Sequence, residues 1–255
     1  MSFSGNTEEV LSCFEQSLAR RCPAVVITSG GRLEHVAVQN SIPVVRIRKE
    51  KPPNRTVLPY MIVPLLLISS RAGAVHFKSE DFLQTARFLK KQRDSFSRLT
   101  ETKNNLAKQV ALHLRDSLPL VYTDSALYTG VVLRWQYQLN ENAKVLAYSS
   151  RFPEMSHNEV IGLSGDDMRK PAAPVFLSRE GRGNELNRRF EFTCSAIKEK
   201  GYRLFHIPLL GGDELQNVFY GIYLGDFVSL YLAILRRVDP QAVELIDRIR
   251  LKENG

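Results

Sequence analysis

Short apolar runs with no internal polar alternation are separated, along most of this chain, by segments with helical periodicity. Ala24-Val25-Val26-Ile27-Thr28, Leu118-Pro119-Leu120-Val121-Tyr122 and Pro174-Val175-Phe176-Leu177 are such runs, and residues 42–47 and Arg203-Leu204-Phe205-His206-Ile207 are strand-like as well. A strand that faces water on one side alternates apolar with polar residues, whereas a strand covered on both sides does not. Interleaved with helices, these runs predict an α/β fold with parallel sheets buried on both faces.

The helical segments fill the gaps. Val10, Leu11, Phe14 and Leu18 recur at helical spacing and predict a helix that begins near Thr7. Ser29-Gly30-Gly31 ends the first apolar run, and a short helix is expected over residues 33–38. Residues 79–117 read as helical twice over, with a polar break at 97–105 that marks the expected domain junction. Helices are further expected over 126–144, 188–200 and 221–236. Asp239-Pro240 stops the last of these, and Val243, Ile246 and Ile249 restart one over 242–252. The expected domains are therefore 1–100 and 101–255.

A chain of 255 residues with 44% hydrophobic and 24% charged residues is long enough to bury a sizeable core in one or two domains. Cys13, Cys22 and Cys194 are odd in number and lack metal-ligand spacing, which points to a reducing, cytoplasmic setting. The formal charge of +8 favours anionic partners. The basic residues are scattered among acids with no interleaved aromatics, so nucleic acid is not an expected partner. Residues 57–68 are strongly apolar but too short to span a bilayer and interrupted by Pro59 and Pro64, so they read as a buried helix, with no membrane association. The first residues lack a basic segment followed by an apolar one, and no secretion signal is expected.

Chemistry concentrates in two polar stretches, Arg134 to Lys144 and Pro153 to Glu159. They bring one carboxylate, Glu141, and one imidazole, His157, into a short polar neighbourhood between strand-like runs, as proton-shuffling chemistry on a small polar substrate requires. Outside such a motif Glu141 would simply pair with Lys144 on a solvated helix face. Trp135 and Leu139, four residues apart on one helical face, are expected in the core, and His35, His76, His113 and His206 as structural or exposed residues. Near the start, Ser2, Ser4 and Thr7 immediately precede a helix, where hydroxyls and free backbone N–H groups can converge on a phosphate. The simpler role for Ser4 or Thr7 is to cap that helix.

Taken together, Ser4-Gly5-Asn6-Thr7-Glu8-Glu9, Ile27-Thr28-Ser29-Gly30-Gly31, Arg55, Gln138 to Lys144, Pro153 to Asn158 and Gly225-Asp226-Phe227-Val228-Ser229 resemble the bifunctional phosphoglucose/phosphomannose isomerases. That family is built from two sugar-isomerase domains, each a three-layer αβα unit. The resemblance implies interconversion of glucose 6-phosphate or mannose 6-phosphate with fructose 6-phosphate, without metal or other cofactor. It implies that Glu141 moves a proton between C1 and C2 through an enediolate. It also implies that His157 opens the sugar ring in the neighbouring active site of a homodimer. By the same matching Arg55 stabilises developing negative charge, and Ser2, Ser4 and Thr7 bind the substrate phosphate.

Two departures accompany the match. The family carries, ahead of the Ser-Gly-Asn-Thr block, a helix, a strand with a glycine-rich turn and a further strand. Their absence here leads us to expect an incomplete first domain with a flexible beginning and an open sheet edge. The family's lysine on the last helix is matched by Arg250, with Lys252 two residues beyond; arginine keeps the charge and changes the reach. A non-catalytic sugar-phosphate-binding module of the same fold is the alternative these departures leave.

Overall fold

The structure, a computed structural model, describes residues 1–48, 56–165, 171–179, 185–242 and 244. It divides into two compact units, Met1–Leu83 and Gln84–Gly255. The division falls before the polar break at 97–105, because Phe88, Leu89 and Phe96 pack against the core of the second unit. The break is an ordered capping turn: Asn105 accepts a hydrogen bond from the Lys108 N–H at 3.1 Å and donates to the Ser97 carbonyl at 3.0 Å.

In the first unit, helix α1 (Glu8–Ala19) is followed by strand β1 (Val26–Thr28), helix α2 (Gly31–Gln39) and strand β2 (Val44–Arg46). The strands pair in parallel, Val26 opposite Val44 and Thr28 opposite Arg46. Leu11, Phe14, Val26, Leu33 and Ala37 form the core, so each helix buries one apolar stripe against β1. The expected flexible beginning is not seen. The Ser2 N–H donates to the Ile27 carbonyl at 3.2 Å and the Ser29 N–H to the Phe3 carbonyl at 3.0 Å, which ties the first residues to the end of β1.

Helix α3 (Leu58–Arg71) bears out the expected helix but not its burial. No α3 residue is buried, and Tyr60 and Leu65 are exposed, because two strands of three residues offer too narrow a surface to cover it. Helix α4 (Ser79–Ser95) then leads into the second unit.

There, α5 (Leu106–Leu114), β3 (Leu118–Thr123), α6 (Thr129–Ala143), β4 (Tyr148–Arg151), α7 (Glu159–Ser164), β5 (Ala172–Ser178), α8 (Glu185–Glu199), β6 (Phe205–Pro208) and α9 (Glu214–Arg236) follow in order. The four strands form one parallel sheet in the order β4-β3-β5-β6. Alternate residues of the central strands serve opposite faces. Val121, Val175 and Leu177 join α5, α6 and α9 in one apolar cluster, while Leu120, Tyr122 and Phe176 join Met155, Leu163 and Ile197 in another. Both faces are therefore covered, which is why β3 and β5 read as uninterrupted apolar runs.

Strand β4 has no apolar signature in the sequence, because it lies at the sheet edge and its residues, Tyr-Ser-Ser-Arg, are polar. Helix α9 begins earlier than expected, at Glu214, and is long and apolar enough to cross a membrane by length and composition. Here it is the core helix of its unit: Tyr220, Leu224, Val228 and Leu232 are nearly inaccessible and sit in the same cluster as α5 and α6.

Candidate active site

The hydroxyls of Ser2, Ser4 and Thr7 converge ahead of α1. Ser2 Oγ lies 2.8 Å from Thr7 Oγ1 and 3.5 Å from Ser4 Oγ, and accepts a hydrogen bond from the Gly5 N–H at 3.2 Å. Thr7 occupies the cap position of α1, yet its side chain makes no capping hydrogen bond. The cap reading thus fails for Thr7, whose hydroxyl turns to Ser2 instead.

Backbone geometry builds this cluster. Gly5 and Gly31 adopt positive φ angles of 67° and 77°, and a Cβ on Gly5 would lie 1.8 Å from the Gly30 carbonyl oxygen. Only glycine permits the two loops to interlock. Asn6 Oδ1 accepts the Arg32 N–H at 3.0 Å and the Gly5 carbonyl accepts the Leu33 N–H at 2.9 Å, so the amino ends of α1 and α2 are held side by side. Two helix amino ends and three hydroxyls at the carboxyl end of β1 form a setting suited to an oxyanion. Glu8, in the first turn of α1, is paired with Arg32 at 2.7 Å, which offsets its charge.

Beside this region, a groove of about 620 Å³ runs past the end of β2 and the first turns of α3, lined by Arg46, Arg48, Val57, Tyr60 and Val63. The carboxyl ends of parallel strands are where α/β sheets hold ligands.

In the second unit, Glu141 lies half-buried in the last turn of α6. Lys144, in a left-handed conformation just past that helix, donates to the Glu141 backbone carbonyl. Trp135 and Leu139 are core residues, as expected. The residues that brace this helix lie in the stretches the sequence singled out, but their pairing across two helices was not anticipated. Gln138 donates to Asp226 Oδ1 at 2.6 Å, Arg134 reaches the same carboxylate at 3.1 Å, and Asn142 donates to Ser229 Oγ at 2.8 Å. Burial pushes the Asp226 carboxyl above the usual carboxylate range, and the Arg134 guanidinium pulls it back. The polar series Arg134, Gln138, Asn142 at intervals of four on a helix with an apolar face was the available signal.

His157 follows a 3-10 turn (Glu154–Ser156) anchored by the buried Met155, and it is exposed. It stands on a different element from Glu141. His35, His76 and His206 are also exposed, His206 in a hydrogen bond with the Ser178 hydroxyl, and His113 is partly buried against Phe205. Arg55, Arg250 and Lys252 lie outside the described residues. At the carboxyl end of β5, Arg179 pairs with Glu214 at 3.0 Å, and Tyr128 donates to the same carboxylate. No group of three or more metal-ligating side chains occurs among the described residues.

Comparison with known proteins bears on this arrangement. A glucose-6-phosphate isomerase like protein from Thermus thermophilus superposes with a TM-score of 0.64 at 24% identity, over 89% of this chain and 77% of that one. The fold is thus that of the sugar isomerases. Residues 103–252 match the family described as the bacterial phospho-glucose isomerase C-terminal SIS domain. The bifunctional phosphoglucose/phosphomannose isomerase of Caldicellulosiruptor bescii is 32% identical over 252 residues, 98% of this chain and 74% of that protein. Its counterpart in Thermoplasma acidophilum is 32% identical over 250 residues, again 98% of this chain and 74% of the relative. The chain belongs to the bifunctional phosphoglucose/phosphomannose isomerase family.

Proposed function

We propose that this chain interconverts glucose 6-phosphate or mannose 6-phosphate with fructose 6-phosphate by proton transfer through an enediolate. The observation that carries the reading is the Ser2, Ser4 and Thr7 hydroxyl cluster between two helix amino ends, in a chain of this family. It supports recognition of the phosphate. In this reading Met1–Leu83 contributes part of a first sugar-isomerase domain and the second unit supplies the base.

The reaction asks little of the protein beyond a positioned carboxylate. Starting from the aldose, Glu141 takes the proton from C2, the released electron pair becomes the C1–C2 double bond, and the C1 carbonyl oxygen is protonated. Loss of the O2 proton then forms a carbonyl at C2 while Glu141 returns its proton to C1, which gives the ketose; the reverse sequence gives the aldose. The oxidation of C2 balances the reduction of C1, so no external electron carrier enters. Arg55 stabilises the enediolate oxygens, Arg250 stands in for the family's lysine, and His157 opens the ring in the neighbouring site of a homodimer.

The test is a coupled assay of glucose 6-phosphate formed from fructose 6-phosphate. Glu141→Gln is expected to lower turnover by about a hundredfold or more while leaving the circular dichroism spectrum unchanged. Near-normal turnover in that variant overturns the assignment. A wild-type chain that binds sugar phosphate without turning it over favours the non-catalytic module.

A further inference from the structure

Polar contacts between α6 and α9 flank Glu141 on both sides. Early in α6, Val131 and Val132 add apolar surface, while Arg134 reaches the Asp226 carboxylate at 3.1 Å and Trp135 Nε1 donates to the Gly221 carbonyl at 2.7 Å. Three further contacts bracket Glu141: Gln138 to Asp226 lies three residues before it, Asn142 to Ser229 one residue after it, and Arg236 Nε to the Ala143 carbonyl, at 3.0 Å, two residues after it. Ser229 Oγ in turn donates to the Asp226 carbonyl at 2.8 Å, so the two acceptors on α9 are linked to each other.

Asn142 and Ser229 are buried, at 5% and 0% exposure. Buried polar pairs add little net stability over well-packed apolar side chains, while each bond fixes direction and distance. A seam that only had to hold two helices together could be apolar throughout. This one places polar contacts immediately before and immediately after the residue whose carboxylate is proposed to move the proton.

We infer that Asp226 and Ser229 are positioning residues for Glu141: through Gln138 and Asn142 they fix the rotation and axial setting of the helix turn that presents its carboxylate. The inference rests on the reading of Glu141 as the base. Neither residue is required to touch the substrate.

Three variants of the full chain, with Glu141→Gln alongside, test it, each measured for kcat, KM and melting temperature with fructose 6-phosphate. Ser229→Ala is expected to lower kcat by about tenfold to a hundredfold with KM within about twofold, the signature of a displaced catalytic group. Val228→Ala, which removes apolar volume from the same helix, is expected to lower the melting temperature and leave kcat within about twofold. Gln138→Met, which deletes the amide at nearly constant length, reads the other side of Glu141 and serves if Ser229→Ala does not fold.

Unchanged kcat in Ser229→Ala and Gln138→Met, with Glu141→Gln inactive, overturns the positioning role and leaves Glu141 as the base. Equal losses of kcat in Ser229→Ala and Val228→Ala at matched melting temperatures also overturn it, because general loosening then accounts for both. Activity in Glu141→Gln, or an inactive wild-type chain, overturns the underlying reading and the positioning role with it.

Discussion

The indole of Trp135 occupies the space that a side chain on Gly225 would fill: a Cβ there would lie 2.4 Å from Nε1, and the same Nε1 donates to the Gly221 carbonyl at 2.7 Å. Helices α6 and α9 approach this closely because two glycines one turn apart leave room for α6 side chains: Gly225 for the Trp135 ring, and Gly221 for Val131, whose Cγ1 would lie 2.7 Å from a Cβ there. Gly225→Ala is therefore expected to destabilise the second unit by about 2 kcal/mol or more, through overpacking against a fully buried side chain. Urea unfolding of the single variants and of the Gly225→Ala, Trp135→Phe double variant checks this. The double variant is expected to lose less than the sum, since both changes act on one contact.

Gly5 is subject to a different constraint. Its φ of 67° alone costs an L-residue about 1 to 2 kcal/mol, and the collision with the Gly30 carbonyl adds to that. Gly5→Ala is expected to separate the two loops. Hydrogen exchange reads the effect locally: the Ser29 and Leu33 amides, bonded to Phe3 and Gly5, are expected to lose protection while β3 and β5 retain theirs.

If the hydroxyl cluster binds phosphate, Thr7→Val removes a donor without removing volume. KM for fructose 6-phosphate is expected to rise about tenfold, the equivalent of one lost hydrogen bond to a charged group, with the fold unchanged. An unaltered KM assigns the hydroxyls to loop structure alone.

His157 on one chain and Glu141 on another are expected to complement. Mixing inactive Glu141→Gln with inactive His157→Ala chains regenerates some activity, because a mixed dimer holds one site with both groups intact. No recovery after verified subunit exchange shows that the histidine does not serve the neighbour.

His113 sets an acid limit on stability. Burial holds its imidazole below the usual value of 6.5, opposed by a hydrogen bond to the Pro174 backbone and aided by Arg203. The folded chain keeps the ring neutral where the unfolded chain protonates it. Its contribution is thus complete above about pH 6.5 and is lost as pH falls from there toward the lowered folded value. Melting temperatures measured between pH 5 and pH 8 are expected to fall more steeply on the acid side in the wild type than in His113→Gln.

What the sequence discloses follows from where each interaction is encoded. Strands β3 and β5 announce themselves because burial on both faces leaves a continuous apolar run. Strand β4, at the edge, shows no such run. Residues 57–68 read correctly as a helix from their apolar run, but burial depends on what packs alongside, and α3 is left uncovered within its unit. Glu141 is marked by the residues around it. Its braces lie in the same motif blocks, but their pairing is not legible there, because Gln138 and Asp226 are 88 positions apart and only the folded chain brings them together.

The order of elements also sets a timetable. Helix α9 follows all the described strands of its sheet along the chain, yet its side chains fill the centre of the cluster against α5 and α6. During synthesis the ribosome releases residues from the amino end, so β3 to β6 and both flanking helices emerge while their shared apolar surface is still open. The second unit can close only after Glu214–Arg236 has left the exit tunnel. Until then the nascent chain presents a vacant cleft shaped for this one helix, and a ribosome stalled before residue 214 would hold a ready target for chaperones.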